Sequence, residues 1–436
     1  MKKEETEERD WSLVRNNNGE WISDRNVVFL TELELTMEKI AAQKCHLPLT
    51  VNIGPDGTKW CYKHELDAIS AATPVVDIKP YKLKIAKTSP HKTQEMIEKY
   101  IKRFEETKDS DTLFEDLQSM SKCNVRKPDY IDFKLDTKAS TLLLYIQQKQ
   151  SQKNRDVCPN YTCRNMQTDN AAFEGWAVCM KAWLPDIEKV VLRWDEPKDF
   201  ETASESIQHY NRFLYRVMRF SEAFKDWFAV DSSNQVTIEE FSKRFCYLQN
   251  NAYGKAPEKP SKEGSETKTE YEMSHTWADQ MMTYYNLNVI SRQLPIGVLQ
   301  QGKSFFTGGK SAIDLWGMND DTLTLIELKY NYGKSVNKKV GIISELFLYA
   351  CTMRDMVLGI IQPPTKSPTK EETMLYERIT SFRRVKAEML SNGFHPLLDN
   401  EAVLTILNRN AFNENIPITF GKTKYDFTGN HLTIPC

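Results

Sequence analysis

Between Lys310 and Asn331 the chain reads KSAIDLWGMNDDTLTLIELKYN. Two runs of aliphatic and β-branched residues flank the polar segment MNDD, the pattern of an antiparallel hairpin inside a packed domain. Three charges interrupt those runs: Asp314, Glu327 and Lys329. A charge inside a buried strand is costly unless it is paired or ligated. This hairpin therefore constrains what the chain around it can be.

Side chains alternate across a strand, so Glu327 and Lys329 share a face. A turn at Met318–Asp321 pairs Gly317 with Thr322 and sets Asp314 opposite Leu325. Asp314 is then a diagonal neighbour of Glu327 on the same face, within reach of a common ion. Two carboxylates, with the Ile326 or Leu328 carbonyl, offer hard oxygen ligands that suit Mg²⁺ or Mn²⁺. Lys329 is then placed to orient a water or to offset negative charge on a phosphate.

The surrounding pattern is a compact α/β module. YEMSHTWADQMMTYYN predicts one helix, with Met273, Trp277, Met281 and Tyr284 along its apolar side. VISRQLPIGVL reads as a strand that Pro295 confines to an edge or a bulge. After the hairpin, KKVGIISELFLYACTMRDM predicts a helix with the stripe Ile343, Phe347, Ala350 and Met353. VLGII is expected as a fourth strand, and MLYERITSFRRVKAEML as a further helix.

The order helix, three strands, helix, strand, with Asp314 on the second strand and the tripeptide ELK (Glu327, Leu328, Lys329) on the third, resembles the PD-(D/E)XK, or restriction-endonuclease-like, nuclease superfamily. The likeness spans Glu270 to Ile361, about a fifth of the chain, and departs from the pattern in having Ile313 rather than proline before the aspartate. It implies a metal-dependent nuclease, with Asp314, Glu327 and the Leu328 carbonyl on Mg²⁺ or Mn²⁺ and Lys329 at the water. Glu345 and Tyr349 match a Gln-xxx-Tyr pair of some families, with Glu in place of Gln. Some families also carry an acid on the helix before the first strand; Glu272 is the candidate here and Glu270 the reserve. DNA is the expected substrate, with a role in restriction, repair or defence against mobile elements, and a homodimer is compatible with the family. A non-catalytic interaction module that keeps the fold is the alternative.

A weaker echo lies upstream. YIDFKLDTKASTLLLYIQQKQ, from Tyr130 to Gln150, has IDF where the hairpin has IDL, and TLLLYIQQK where it has TLTLIELK. It is compatible with a degenerate second copy of the same core, inactive because Gln147 would replace the metal-binding glutamate. A helix (AAFEGWAVCMKAWL), a strand (KVVLRW) and a long helix through RFLYRVMRF follow. Arg212, Arg216 and Arg219 form a stripe on that last helix, suited to phosphates or to solvent. Arg383, Arg384 and Lys386 form a smaller basic cluster with the same two readings. His395 is more in keeping with a structural role than with acid–base chemistry.

Boundaries follow composition. NAYGKAPEKPSKEGSETKTE is rich in Pro, Gly, Ser, Lys and Glu, as linkers are. The expected division is an α+β region at 1–105, a middle α/β region at 106–252, a linker at 253–268 and the nuclease-like domain at 269–436. Within the first region, PLTVNIGPDGTKWCYKHELDAIS predicts two strands about a GPDG turn and then a short helix, and HKTQEMIEKYIKRFEETKD has helical spacing. A net charge of −2 over 436 residues gives no global basic field, so any nucleic-acid contact must be local. Nine scattered cysteines suit reduced thiols and a cytoplasmic setting. No run approaches the roughly 18 apolar residues of a membrane span, and no membrane partner is expected.

Overall fold

The computed structural model describes residues 13–15, 17–18, 21–23, 26–53, 58–72, 107–147, 172–184, 186–196, 204–251, 266–306, 312–331, 339–363, 370–428 and 431–434. The chain is a mixed α/β protein in two compact units, Met1–Glu106 and Thr107–Cys436.

In the first unit, β1 (Leu13–Arg15) pairs antiparallel with β2 (Trp21–Ser23). β3 (Val27–Leu30) leads into α1 (Glu32–Cys45), followed by β4 (Val51–Ile53), β5 (Lys59–Tyr62) and α2 (Lys63–Ala72). β5 lies between β3 and β4, antiparallel to both. Thr31 and Glu34 start α1 with a reciprocal capping box. The two strands and short helix expected around GPDG are present, although Gly54–Gly57 and the helix expected over 91–109 up to residue 106 lie outside the described residues.

The second unit begins with β6 (Thr107–Lys108), α3 (Ser110–Ser121), β7 (Ile131–Asp136), β8 (Thr141–Ile146), α4 (Phe173–Trp183), β9 (Lys189–Trp194), α5 (Ser204–Ala223), β10 (Phe228–Val230), α6 (Ser232–Arg244) and β11 (Leu248–Asn251). It continues with α7 (Glu266–Ser274), α8 (Ala278–Tyr285), β12 (Val289–Pro295), β13 (Gly297–Gln300), β14 (Lys303–Ser304), β15 (Ala312–Met318) and β16 (Thr322–Lys329). α9 (Gly341–Val357), β17 (Ile361–Gln362), α10 (Lys370–Thr380), β18 (Arg384–Ser391), α11 (Ala402–Asn408), β19 (Ile418–Lys424), β20 (Asp426–Thr428) and β21 (His431–Thr433) complete it.

Two five-stranded sheets dominate this unit. One runs β6-β7-β8-β9-β10 and the other β12-β15-β16-β18-β19. In each, the first two junctions are antiparallel and the last two parallel. A helix follows the third strand in both. The parts built on them are called here the first and second modules. A smaller sheet, β14-β13-β11-β17, takes β11 from just after the first module and β13, β14 and β17 from the second. Residues 252–265, most of the expected linker, lie outside the described residues, and 266–268 already belong to α7.

α9 explains why the two modules pack as one body. It is buried from Gly341 to Met356, on every side rather than along the predicted stripe. A helix apolar all round needs neighbours all round. One side of α9 meets β16 and β18; the other meets α4 and α5. α4 crosses so closely that a Cβ on Gly175 would stand 2.4 Å from the Val340 carbonyl oxygen. Only glycine fits there.

Several expected elements come out differently. The helix over YEMSHTWADQMMTYYN is two helices, α7 and α8, broken around His275–Trp277; Tyr285, not Tyr284, turns inward. VISRQLPIGVL is divided between two sheets as β12 and β13, with Pro295 ending edge strand β12. VLGII is not the fourth strand: Val357 closes α9, and only Ile361 joins a strand, β17, in the small sheet. The strand beside β16 is β18, from a stretch read as helix because Ala, Glu, Met, Leu and Lys favour helices. Its parallel partners on both sides, β16 and β19, override that preference.

Candidate active site

The hairpin holds the charges where its register puts them. β15 and β16 close at Met318–Leu323, with Leu315 paired to Ile326. The expected register, with Gly317 against Thr322, is two residues off; Gly317 pairs with Thr324. One further step sets Asp314 directly opposite Glu327 rather than diagonal to it. A slip of two residues preserves the face, so the carboxylates still share one. Asp314 Oδ2 accepts a hydrogen bond from the Leu328 N–H at 2.9 Å.

Lys329 sits among carboxylates. Its Nζ lies 2.6 Å from Glu327 Oε1, 3.2 Å from Glu345 Oε2 and 3.7 Å from Glu266 Oε1. Glu327, Lys329 and Glu345 are all buried, Glu345 completely. Glu345 and Tyr349, one turn apart on α9, both belong to this buried cluster, and Tyr349 feels the charges of Glu327, Glu345 and Asp314. The two glutamates are not saturated. Glu327 Oε2 and Glu345 Oε1 have no hydrogen-bond partner.

The structure separates the two acids expected before the first strand, Glu272 and its reserve Glu270. Glu272 pairs with Lys268 at 3.4 Å. Glu270 is the buried one, and its Oε2 accepts from Gln293 Nε2 at 2.6 Å. Gln293 adopts φ 57° inside β12, a left-handed conformation uncommon for a side-chain-bearing residue. Sequence reading missed Glu266, whose Oε2 accepts from the Tyr330 N–H at 3.1 Å. The signal was present: Glu266 and Glu270 are four apart and share a helix face, whereas Glu272 does not.

Burial raises the pKa of Asp314 and Glu327 well above the usual carboxylate range, and neighbouring acids add to it: Glu270 and Glu266 for Asp314, Asp314 and Glu345 for Glu327. Glu270 is pushed up to about 7, by burial first and then Glu266. Burial works against the Lys329 ammonium, but Glu327, Glu345, Asp314 and Glu266 outweigh it and hold its pKa above the ordinary lysine value.

Among the described residues, no three Asp, Glu, His or Cys side chains stand close enough together to share an ion; Lys329 is the cation among these acids. The donor set itself suits a hard divalent ion. It is all oxygen, and buried carboxylate oxygens of Glu327 and Glu345 are unsatisfied.

The first module holds the counterpart hairpin. β7 and β8 close at Asp136–Thr141, and Asp132 pairs with Tyr145. By register, Tyr145 stands where the second module has Glu327, and Gln147 stands in the place of Lys329. The expected equivalence of Gln147 with the glutamate is thereby corrected. Gln147 Nε2 hydrogen-bonds Asp132 Oδ2, and the Tyr145 hydroxyl donates to Asp195 Oδ1 at 2.5 Å.

Other sequence candidates are accounted for by packing. Arg216 and Arg219 are buried rather than solvated, paired with Glu174 and Asp355. Arg384 pairs with Asp321 and Lys386 with Glu388. His395 caps the turn at Pro396–Asp399, its Nδ1 accepting from the Leu397 N–H at 3.2 Å. Cys45, Cys61, Cys123, Cys179, Cys246 and Cys351 are thiols outside any disulfide, while Cys158 and Cys163 lie outside the described residues. Among the described residues no helix is long and apolar enough to cross a membrane. Comparison of the chain with protein-family models, with curated proteins and with solved structures yields no match.

Proposed function

We propose that the second module is a Mg²⁺- or Mn²⁺-dependent phosphodiesterase acting on nucleic acid, with DNA as the first substrate to test. One observation carries the reading: the hairpin register sets the half-buried Asp314 opposite Glu327, with the Lys329 ammonium 2.6 Å from Glu327 and 3.2 Å from Glu345, these last three buried. The likeness of this arrangement to the Asp…Glu-x-Lys pattern of PD-(D/E)XK nucleases supports it.

Asp314, Glu327 and the Leu328 carbonyl would hold the ion, with Glu345 beside them. The bound ion supplies Lewis-acid polarisation and an acidified water. Lys329 donates hydrogen bonds to the attacking water or to a non-bridging phosphate oxygen, offsetting the charge that develops there. Glu270, with a pKa of about 7, changes protonation near neutrality and suits proton uptake from the water. Tyr349 lines the α9 side of the cluster.

A second reading is a non-catalytic module in which Lys329 and its carboxylates form a closed structural ion cluster. The lack of a ready three-ligand group among the described residues favours it. Calorimetric titration with Mn²⁺, wild type against Glu327→Gln, separates the two. Binding lost in the variant, together with cleavage of linear, circular, single-stranded or branched DNA or of RNA that Lys329→Ala abolishes, supports the phosphodiesterase. No Mn²⁺ or Mg²⁺ binding by either protein sinks it.

A further inference from the structure

α5 carries arginines at i, i+4 and i+7, and two of them are neutralised inside the fold. Arg216 Nε donates to Glu174 Oε1 at 2.7 Å. Arg219 Nη2 lies 2.8 Å from Asp355 Oδ2, and its Nη1 lies 2.6 Å from Glu222 Oε2. Arg212 is different. It is 7% exposed, as buried as Arg219 at 8%. Yet among the described residues no carboxylate lies within ion-pair distance of it. Its polar contact is the His209 ring, whose Nδ1 stands 3.1 Å from Arg212 Nη2. Removing a guanidinium from water without a counter-charge is costly. An anion supplied by a ligand would offset that cost.

The position of Arg212 says where such an anion would sit. Asn211 Nδ2 donates to the Phe305 carbonyl at 3.2 Å, just before the segment that enters β15 and reaches Asp314. One turn along α5, Glu174, the partner of Arg216, accepts from Ser344 Oγ at 2.7 Å, and Ser344 precedes Glu345. α5 thus packs on Phe305 through Asn211 and is tied to Ser344 of α9 through Arg216 and Glu174. Burial and then Arg216 press the guanidinium pKa down to about 10, while Tyr349 and Glu345 pull it up.

We infer that Arg212, carried by the first module, is a substrate-contact residue for the second module's site and grips a phosphate of the bound nucleic acid. The inference rests on the phosphodiesterase reading. A guanidinium offers a planar fork that matches two phosphate oxygens. His209, accepting through Nδ1, holds the fork in orientation. The role makes the first module part of the site although its own hairpin lacks the acid–lysine pair.

The test uses the full chain and a fluorescent DNA duplex. Binding is read by anisotropy in Ca²⁺ over a salt series, and cleavage is read in Mn²⁺. Arg212→Gln is expected to weaken duplex binding roughly 10–100-fold, the worth of a charge-assisted hydrogen bond. It should also lower the salt slope by about one, while the melting temperature and calorimetric Mn²⁺ binding stay at wild-type values. Arg212→Lys should recover part of the loss, and Lys225→Gln, an exposed control on the same module, should change little. If Arg212→Gln does not fold, Arg212→Lys decides: a binding loss of at least threefold is expected, and wild-type binding overturns the inference. A wild type that binds and cleaves, with Arg212→Gln equal to it, overturns the role of Arg212 alone. A wild type that neither binds nor cleaves the duplex overturns this inference for double-stranded DNA, and one that also binds no Mn²⁺ overturns the phosphodiesterase reading with it.

Discussion

The two hairpins of the second unit share a strand order and a set of directions, and in each four residues separate the last paired positions, Asp136 and Thr141 in one and Met318 and Leu323 in the other. They differ at two positions facing the conserved-register aspartate. The first module has Tyr145 and Gln147, neutral groups that settle Asp132 and Asp195 by hydrogen bonds at half-buried positions. The second has Glu327 and Lys329, which are buried and leave carboxylate oxygens unsatisfied. One scaffold thus carries a quiet polar pair and a charged cluster. The quiet pair is what stability alone requires. The charged one is what stability alone would remove, because buried ion pairs are at best neutral against apolar replacements.

The comparison breaks most sharply at Lys329. On the proposed phosphodiesterase reading, Lys329→Ala should lower cleavage by at least about 100-fold, the usual loss for a group that stabilises transition-state charge, while the equivalent change Gln147→Ala leaves the rate unchanged; both are read in one nuclease assay. Next is the link between modules. Glu174→Gln strips the counter-charge from buried Arg216 and should cost about 3–5 kcal/mol in urea unfolding, whereas Asp132→Asn, at a half-buried position, should cost under about 1 kcal/mol. Gly175→Ala forces a methyl against the Val340 carbonyl and should cost about 1–3 kcal/mol, with a lower melting temperature as the readout.

The charged cluster should also make stability depend on pH. The Glu270 pKa in the fold is about 7 against an ordinary 4.5. Between those values the folded chain holds a proton that the unfolded chain has lost, so stability is full below pH 4.5 and falls as pH rises toward 7. Glu270→Gln should flatten that part of the profile, and added Mn²⁺ should raise the melting temperature more at pH 8 than at pH 6. A slope unchanged in Glu270→Gln assigns the effect elsewhere. Gln147→Ala, which removes one hydrogen bond, should cost about 0.5–1.5 kcal/mol, with no pH dependence beyond wild type.

How far the site could be read from sequence depended on how local each piece of information was. Asp314, Glu327 and Lys329 were legible because alternation along a strand assigns faces without knowing partners. Glu345 and Tyr349 were legible because helical spacing does the same. Glu270 against Glu272 was decidable in principle, since Glu266 and Glu270 are four apart, but the start of α7 was hidden by linker-like composition. β18 was misread because its residues favour helix and its strand form comes from β16 and β19 on either side. The buried state of Arg216 and Arg219 depended on Glu174 and Asp355, residues 42 and 136 positions away.

The sequence by itself determined that a hairpin in this chain holds acids and a lysine on one face, because the period of a β-strand is a property of the backbone. Only the tertiary structure decided which acid stands opposite which, that α9 is enclosed on all sides, and that the arginines of α5 lie inside the molecule. Register, burial and charge pairing are set by contacts between distant segments, and those contacts exist only once the chain has folded.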